Sequence, residues 1–391
     1  MKEVVIVGSA RTAVGTMGGS LKDTHAADLG AIVIKEALKR ANVGPELVED
    51  VIVGCVGQVA ESAFIARMCA LRAGIPAHSN AYTVNRLCGS GLQAINTAAQ
   101  AIRSGEADII VAAGTENMNL LPYYVRKGRY GYRFGHAQLE DGLLTALTDP
   151  FGNYPMGVTA ERVSQRFDIS REEQDQFSFE SQEKAAAAIQ NGKFKNEIVS
   201  VEIPQKRGEA ILFDTDEHPR KTTLEKLASL KPAFQENGTV TAGNSSGIND
   251  GAAAVVMMSV EKAIELGLKP LSYVREQAVA GVEPEIMGYA PAPAVKKVLQ
   301  KSGLSLDDID LLEINEAFAA QAVAVIKDLE VDPRKVNVNG GAIALGHPIG
   351  ASGCILTVKL LNEMERQASK YGIVTMCIGG GQGIATIFER I

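Results

Sequence analysis

The chain has 391 residues, 46% of them hydrophobic, with 39 basic against 46 acidic side chains and a formal net charge of -7. That length can bury a substantial core and points to two or three domains, while the acidic balance argues against nucleic acid or an anionic membrane surface, both of which select a basic face. No apolar run reaches the roughly 18 residues a membrane span needs, and the five cysteines (55, 69, 88, 354 and 377) form no C-x-x-C pair, so no disulfide framework or zinc site is expected and a reducing, cytoplasmic setting is.

In chain order, the first segment reads as one strand, 3–7, too short and too charged for a secretory leader. Helices over 26–40, 64–73 and 91–104 then alternate with strands over 51–56, 81–87 and 108–113. Such alternation predicts parallel strands with crossover helices. The rhythm returns later, with strands over 272–279, 309–314, 336–338 and 373–378 and helices over 292–302, 316–329 and 351–366. Two related α/β halves are therefore expected, on element order rather than on shared residues. Between them the composition turns to Gly, Tyr, Arg and polar residues, and Ser170-Arg171-Glu172-Glu173 marks one helix start as a capping box, with its end at Asn191-Gly192. A buried strand resumes over 252–258. The division read from this is a first half made of 1–118 plus 246–268, an inserted lobe of 119–245, and a second half of 269–391.

Cys88 stands in Asn85-Arg86-Leu87-Cys88-Gly89-Ser90-Gly91, between a predicted strand and helix. A thiol there meets free backbone N–H groups and the positive helix end, which favour thiolate; glycines on both sides let a carbonyl approach. An inert buried cysteine is the ordinary alternative. His347 lies in a glycine-rich loop, Asn339 to Gly353, whose fixed shape suits a positioning role; His25, His78, His136 and His218 read as ordinary histidines. Cys377 ends an apolar run before Ile378-Gly379-Gly380-Gly381-Gln382-Gly383, and Asn315-Glu316 follows another, where helix capping alone would explain it. All four reactive groups fall beyond the carboxyl ends of predicted strands, where open α/β sheets collect ligands. Gly89-Ser90-Gly91-Leu92-Gln93-Ala94 matches a dinucleotide fingerprint. Yet it occupies the third βαβ unit, and Asp108 begins its strand rather than ending one, leaving only Glu116 as a ribose-binding acid.

These blocks, with Asn315-Glu316-Ala317-Phe318-Ala319, Gly346-His347-Pro348-Ile349-Gly350, Thr241-Ala242-Gly243-Asn244-Ser245-Ser246-Gly247 and Arg11-Thr12, closely resemble the thiolase family, in its order and over nearly the whole chain. The resemblance implies a thiolase fold, two duplicated βαβαβαββ halves in a five-layered αβαβα sandwich with an inserted loop domain. It implies an acetyl-CoA C-acetyltransferase, joining two acetyl-CoA into acetoacetyl-CoA plus CoA through an acyl-Cys88, in fatty acid metabolism. Cys88 would be the nucleophile, His347 its base, Cys377 the acid/base at C2, and Asn315 the holder of a water. One oxyanion hole would use His347 and that water, the other the backbone N–H groups of Cys88 and Gly379. Ser246, Met156, Phe318, Ala317 and Arg220 would contact CoA or substrate. The resemblance also implies no cofactor beyond the CoA thioester and no metal, with acetyl-CoA, acetoacetyl-CoA and CoA as partners and a homotetramer as the assembly. Pro155 departs from the His usual in acetoacetyl-CoA thiolases and removes a hydrogen-bond donor, so a broader 3-ketoacyl-CoA thiolase is the alternative. A decarboxylating ketoacyl synthase would not need Cys377, and a non-catalytic acyl-CoA carrier would not need all four reactive groups.

Overall fold

In the computed structural model, which describes residues 2–391, the first half contributes β1 (Val4–Thr12), α1 (Ala26–Ala41), β2 (Asp50–Gly54), α2 (Ile65–Arg72), β3 (Asn80–Val84), α3 (Ser90–Ser104) and β4 (Ile109–Asn117). A long excursion carrying α4 (Met156–Arg166) and α5 (Arg171–Gln190) precedes β5 (Asn249–Ser259). The second half supplies β6 (Ser272–Gly281), α6 (Pro291–Ser302), β7 (Leu311–Ile314), α7 (Ala319–Leu329), α8 (Ser352–Gln367), β8 (Tyr371–Ile378) and β9 (Gln382–Arg390). The box at Ser170 forms as its residue types dictate, with Ser170 and Glu173 each accepting the other's backbone N–H.

Alternation along the strands decides the layers. Val5, Val7, Ala252 and Ala254 face one core with Val33 and Ile34 of α1, while their neighbours Val4, Ile6, Ala253 and Val255 face another with Leu92 and Ile95 of α3 and Leu356 and Val358 of α8. Val374 and Met376 of β8 join that second core from the opposite side, and Ile373 and Ile387 turn outward to Val295 and Val298 of α6. Period-2 strands buried on both faces therefore build five layers: α1 and α2, half of the sheet, α3 and α8, the other half, then α6 and α7.

The strand order is β7-β8-β9-β6-β1-β5-β4-β2-β3, one continuous sheet. Within that order β2 with β3, β2 with β4, and β7 with β8 pair as parallel neighbours, and β1, β5, β6 and β9 pair antiparallel; off it, the end of β1 pairs in parallel with the short strand Ile198–Val199. The expectation of parallel strands with crossover helices is thus corrected at the last strand of each half, which runs antiparallel: β9 follows β8 through a short turn, and β5 is reached only after the long excursion. The predicted strand over 336–338 is reduced to a single parallel bridge between Leu312 and Val336. That bridge still lies at the outer edge beside β7, as β3 lies beside β2, so the two halves follow one plan and the Cys88 and His347 loops occupy equivalent places in it.

Each of those loops leads into a central helix, and the two helices touch at their N-terminal ends. A Cβ on Gly91 would stand 2.8 Å from the backbone nitrogen of Cys354, and one on Gly353 2.2 Å from that of Leu92, so the crossing tolerates no side chain at either point. The excursion from the first half packs α4 and α5 on α7 of the second. It is tied back to β1 by Arg11, fully buried, which meets Asp216 at 2.8 and 2.9 Å and Glu197 at 2.7 Å.

Gly353→Val, which forces a branched side chain into the helix crossing, is expected to lower unfolding stability by about 3 kcal/mol. A urea midpoint equal to wild type would show that the helices can part without cost.

Candidate active site

The predicted strand over 81–87 ends early, at Val84, and the next residues form a strained turn. Leu87 has φ +45°, a left-handed conformation costing a γ-branched residue about 1–2 kcal/mol. Short-range hydrogen bonds hold it: Leu87 N–H donates to Asn85 Oδ1 at 2.9 Å, Arg86 N–H to Ser90 Oγ at 2.9 Å, and Ser90 Oγ–H to the Leu87 carbonyl at 2.6 Å. Gly89 is the N-cap of α3, so Cys88 is lifted just ahead of the helix, where the Gly379 and Cys88 backbone N–H groups pull its thiol toward ionisation.

His347 is fixed at three points. Its N–H donates to Asn249 Oδ1 at 2.9 Å, its Nδ1 lies 2.6 Å from Ser352 Oγ, and its Nε2 lies 3.4 Å from Asn315 Nδ2. Ser352 Oγ donates in turn to the Pro348 carbonyl at 3.1 Å, which makes it the acceptor for the ring. Nδ1 therefore carries the hydrogen, and Nε2 offers its lone pair.

The loop itself is stapled by Glu116, whose carboxylate accepts N–H groups of Val56, Gly57 and Gly350, each at 2.9 Å. With its oxygens committed to those amides, Glu116 has none free for a ribose, and Asp108 is paired with Lys2 at 2.5 Å; the dinucleotide alternative fails on both acids.

One cavity of about 410 Å³ gathers Cys88, His347, Cys377, Gly379, Met156, Ala317, Phe318, Ser246 and Arg220. Asn315 stands behind the wall, against His347, with a buried Oδ1 that has no partner among the described residues. Phe318 meets Phe234 edge to face with centroids 6.0 Å apart, and Ser246 N–H donates to the Ala317 carbonyl at 3.0 Å. Met156 opens α4, with Pro155 before it as a cap that accepts no side-chain hydrogen bond. Arg220, exposed at the rim, is the one cation of the lining. Around Cys88 the wall is apolar, built from Val56, Met118, Leu147, Ile248 and Ile349.

The helix predicted from 316 begins instead at Ala319, with Phe318 as its cap. Asn315 and Glu316 cap nothing: Glu316 is buried and accepts from Ser181 Oγ at 2.7 Å, Asn337 Nδ2 at 2.8 Å and Ile343 N–H at 3.2 Å. The expectation that Cys88 favours thiolate is also overturned. Burial pushes its thiol up to about 11, against the pull of the two backbone N–H groups. Burial holds His347 down to about 4 and, with the Cys88 sulfur nearby, drives the Cys377 thiol well above its ordinary value. Thiols and imidazole are therefore all uncharged at rest. Ser352, Asn249 and Gln321, whose Oε1 lies 3.9 Å from Cys377 Sγ, escaped the sequence reading. Only Ser352, five residues past His347, left a local signal; the others act across the fold. His218, read as ordinary, is buried with Nδ1 3.4 Å from Asn249 Nδ2.

Residues 4–261 match the family model described as thiolase, N-terminal domain, and residues 268–390 that described as thiolase, C-terminal domain. An acetyl-CoA acetyltransferase of Syntrophomonas wolfei is 54% identical, with 100% of both chains covered, and the beta-ketothiolase BktB of Cupriavidus necator is 52% identical at the same coverage. Among solved structures, the Bacillus anthracis acetyl-CoA acetyltransferase superposes with a TM-score of 0.98 at 46% identity, covering 100% of this chain and 99% of the other. The human mitochondrial 3-ketoacyl-CoA thiolase in complex with CoA does so with a TM-score of 0.96 at 44% identity, covering 100% and 98%.

Because His347 stays neutral down to about pH 4, lowering the pH from 8 to 5.5 is expected to leave kcat/KM without the downturn near 6.5 that an ordinary histidine base imposes; a titration centred at 6.5 would count against a buried base. Ser352→Ala frees Nδ1 and is expected to lower kcat/KM about tenfold, one hydrogen bond's worth of orientation, with unchanged kinetics as the contrary result.

Proposed function

The chain belongs to the thiolase family, and from that premise we propose that it is an acetyl-CoA C-acetyltransferase, an acyltransferase interconverting two acetyl-CoA with acetoacetyl-CoA and CoA. The observation that carries this reading is one cavity holding two uncharged thiols and a neutral, tautomer-fixed imidazole. In the cleavage direction, His347 Nε2 takes the Cys88 proton as Sγ attacks the keto carbon. The C2–C3 bond breaks, and Cys377 gives its S–H proton to C2, so acetyl-CoA departs and an acyl-Cys88 remains. Incoming CoA passes its thiol proton to the Cys377 thiolate and attacks the acyl group; Cys88 leaves and recovers its proton from His347. Condensation is the reverse, and charges and protons balance over the cycle without a further cofactor or metal.

Charge on the two oxyanions falls to His347 with a water on Asn315, and to the Cys88 and Gly379 backbone N–H groups; each such donor is worth on the order of 3 kcal/mol in the barrier. The Gly379 N–H already acts on the Cys88 thiol, and the Asn315 Oδ1, unpartnered among the described residues, can hold that water. Ser246, Met156, Ala317 and Phe318 line the way for pantetheine, and Arg220 suits the phosphates. The division into 1–118 plus 246–268, 119–245 and 269–391 is part of the proposal, and its support is that the chain leaves the sheet after Asn117 and rejoins it at Asn249.

Homotetramer formation is part of the proposal. Tyr123, Tyr130, Phe134 and Leu139 of the inserted segment are exposed, and among the described residues no strand pairs with the outer edge of β3. A cytoplasmic setting and a place in fatty acid metabolism suit two thiols that must stay reduced; no helix among the described residues is long and apolar enough to cross a membrane. A second reading, a broader 3-ketoacyl-CoA thiolase, is favoured by the apolar wall around Cys88 and by Pro155 on the cavity.

Thiolysis of acetoacetyl-CoA beside a 3-ketooctanoyl-CoA separates the two: cleavage of the shorter substrate alone is expected, and comparable kcat/KM on both would establish the broader enzyme. Cys88→Ser is expected to lose at least about a thousandfold in kcat, and near wild-type turnover would overturn the mechanism. Light scattering of the purified protein is expected to give four times the chain mass.

A further inference from the structure

Gln321 lies on α7, fully buried, and its amide is wedged between the reactive thiol and the cavity wall. Its Oε1 accepts the Ala317 N–H at 3.1 Å and stands 3.9 Å from Cys377 Sγ, within reach of an S–H donor. A backbone N–H can only donate, so the end of the amide that faces both Ala317 and Cys377 is the oxygen, and the orientation is not open to a flip. Nε2 is buried without a partner, so the amide contributes less to stability than an apolar side chain of its volume would. The pocket is closed behind it by Gly288, where a Cβ would stand 2.6 Å from Gln321 Cβ.

We propose that Gln321 is a positioning residue for the proton step at C2, its amide oxygen holding the S–H of Cys377 in one rotamer and keeping Ala317, and through it Ser246, in register with that sulfur. This rests on the thiolase reading given above. In cleavage the S–H proton swings from Oε1 to C2 and is replaced from the incoming CoA thiol; Gln321 itself neither gains nor loses a proton. A neutral acceptor suits both halves of that exchange, for it directs the hydrogen without placing a fixed charge beside the thiolate that forms. The same amide bonds the backbone of Ala317, whose carbonyl accepts Ser246 N–H at 3.0 Å. One side chain thereby sets the distance between the reacting sulfur and the wall along which the thioester arm lies.

The test compares two rates on the intact enzyme. Exchange of labelled CoA into acetyl-CoA makes and breaks S-acyl bonds at Cys88 and asks of Cys377 only a proton passed between sulfurs, whereas deuterium entry into the acetyl-CoA methyl group from heavy water needs the Cys377 hydrogen aimed at carbon. Gln321→Met is expected to lower the ratio of the second rate to the first about tenfold, the effect of one misplaced hydrogen bond. Gln321→Glu, buried and protonated, keeps an acceptor oxygen at the same place and is expected to restore the ratio to within about threefold of wild type. Gln321→Asn withdraws the oxygen by one methylene and stands in for the methionine variant if that one does not fold. A parallel fall in both rates would reduce Gln321 to a structural residue, and an unchanged ratio in the methionine and asparagine variants would equally overturn the proposal. Absence of CoA exchange in the wild-type protein would instead bring down the thiolase reading itself.

Discussion

Everything in this molecule hangs on the contact between the two central helices. α3 and α8 meet at Gly91 and Gly353, with backbone against backbone, and the loops that precede them are thereby delivered to the same point from opposite halves of the chain. Had either glycine carried a side chain, the helices would stand apart by the width of a methyl group or more, and His347 and Cys88 would no longer share one cavity wall. Close-packed interiors do not absorb such a displacement. The remaining order of the site consists of devices that hold these two loops still: Ser90 and Asn85 on the strained turn at Leu87, Ser352 and Asn249 on His347, and the Glu116 carboxylate spanning both sides.

The electrostatics follow from burial more than from charge placement. A helix N-terminus and two backbone N–H groups pull the Cys88 thiol toward ionisation, yet desolvation is the larger effect and keeps it protonated. The same low dielectric keeps His347 neutral. A site with no charge at rest pays little to admit an apolar acyl group, and it confines ion pair formation to the moment when a substrate carbonyl is present to take the sulfur. The one cation of the cavity lining, Arg220, stands apart from this chamber at the exposed rim, where an anionic group would find a counter-charge.

Much of this was legible in the residues themselves. Cys88, His347, Cys377 and Asn315 stood out because each sits among glycines or small residues just past an apolar run, and the structure brings all four together. The duplicated plan was readable from element order, whereas the pairing sense was not, since nothing local tells a strand whether its neighbour runs with it or against it. The helix start at 316 was misread because Asn and Glu at that point look like caps, while Glu316 in fact turns inward to bind Ser181, Asn337 and Ile343. The weak edge at Val336 was misread as a strand because three alternating residues suffice for the pattern but not for a ladder. Glu116 reaches 234 residues along the chain to Gly350, Asn249 98 to His347 and Gln321 56 to Cys377, and no sequence pattern encodes those distances.

The equivalence of the Cys88 and His347 loops has a consequence for how such a protein could have arisen. A pseudo-twofold axis runs through the helix crossing and relates one loop to the other. Two identical copies of either half would place like beside like across that axis, thiol facing thiol or imidazole facing imidazole, and neither pairing supplies a nucleophile together with its base. Chemistry at the axis therefore began only when the two copies ceased to be interchangeable, and covalent fusion in one chain is what allowed each loop to change without the other.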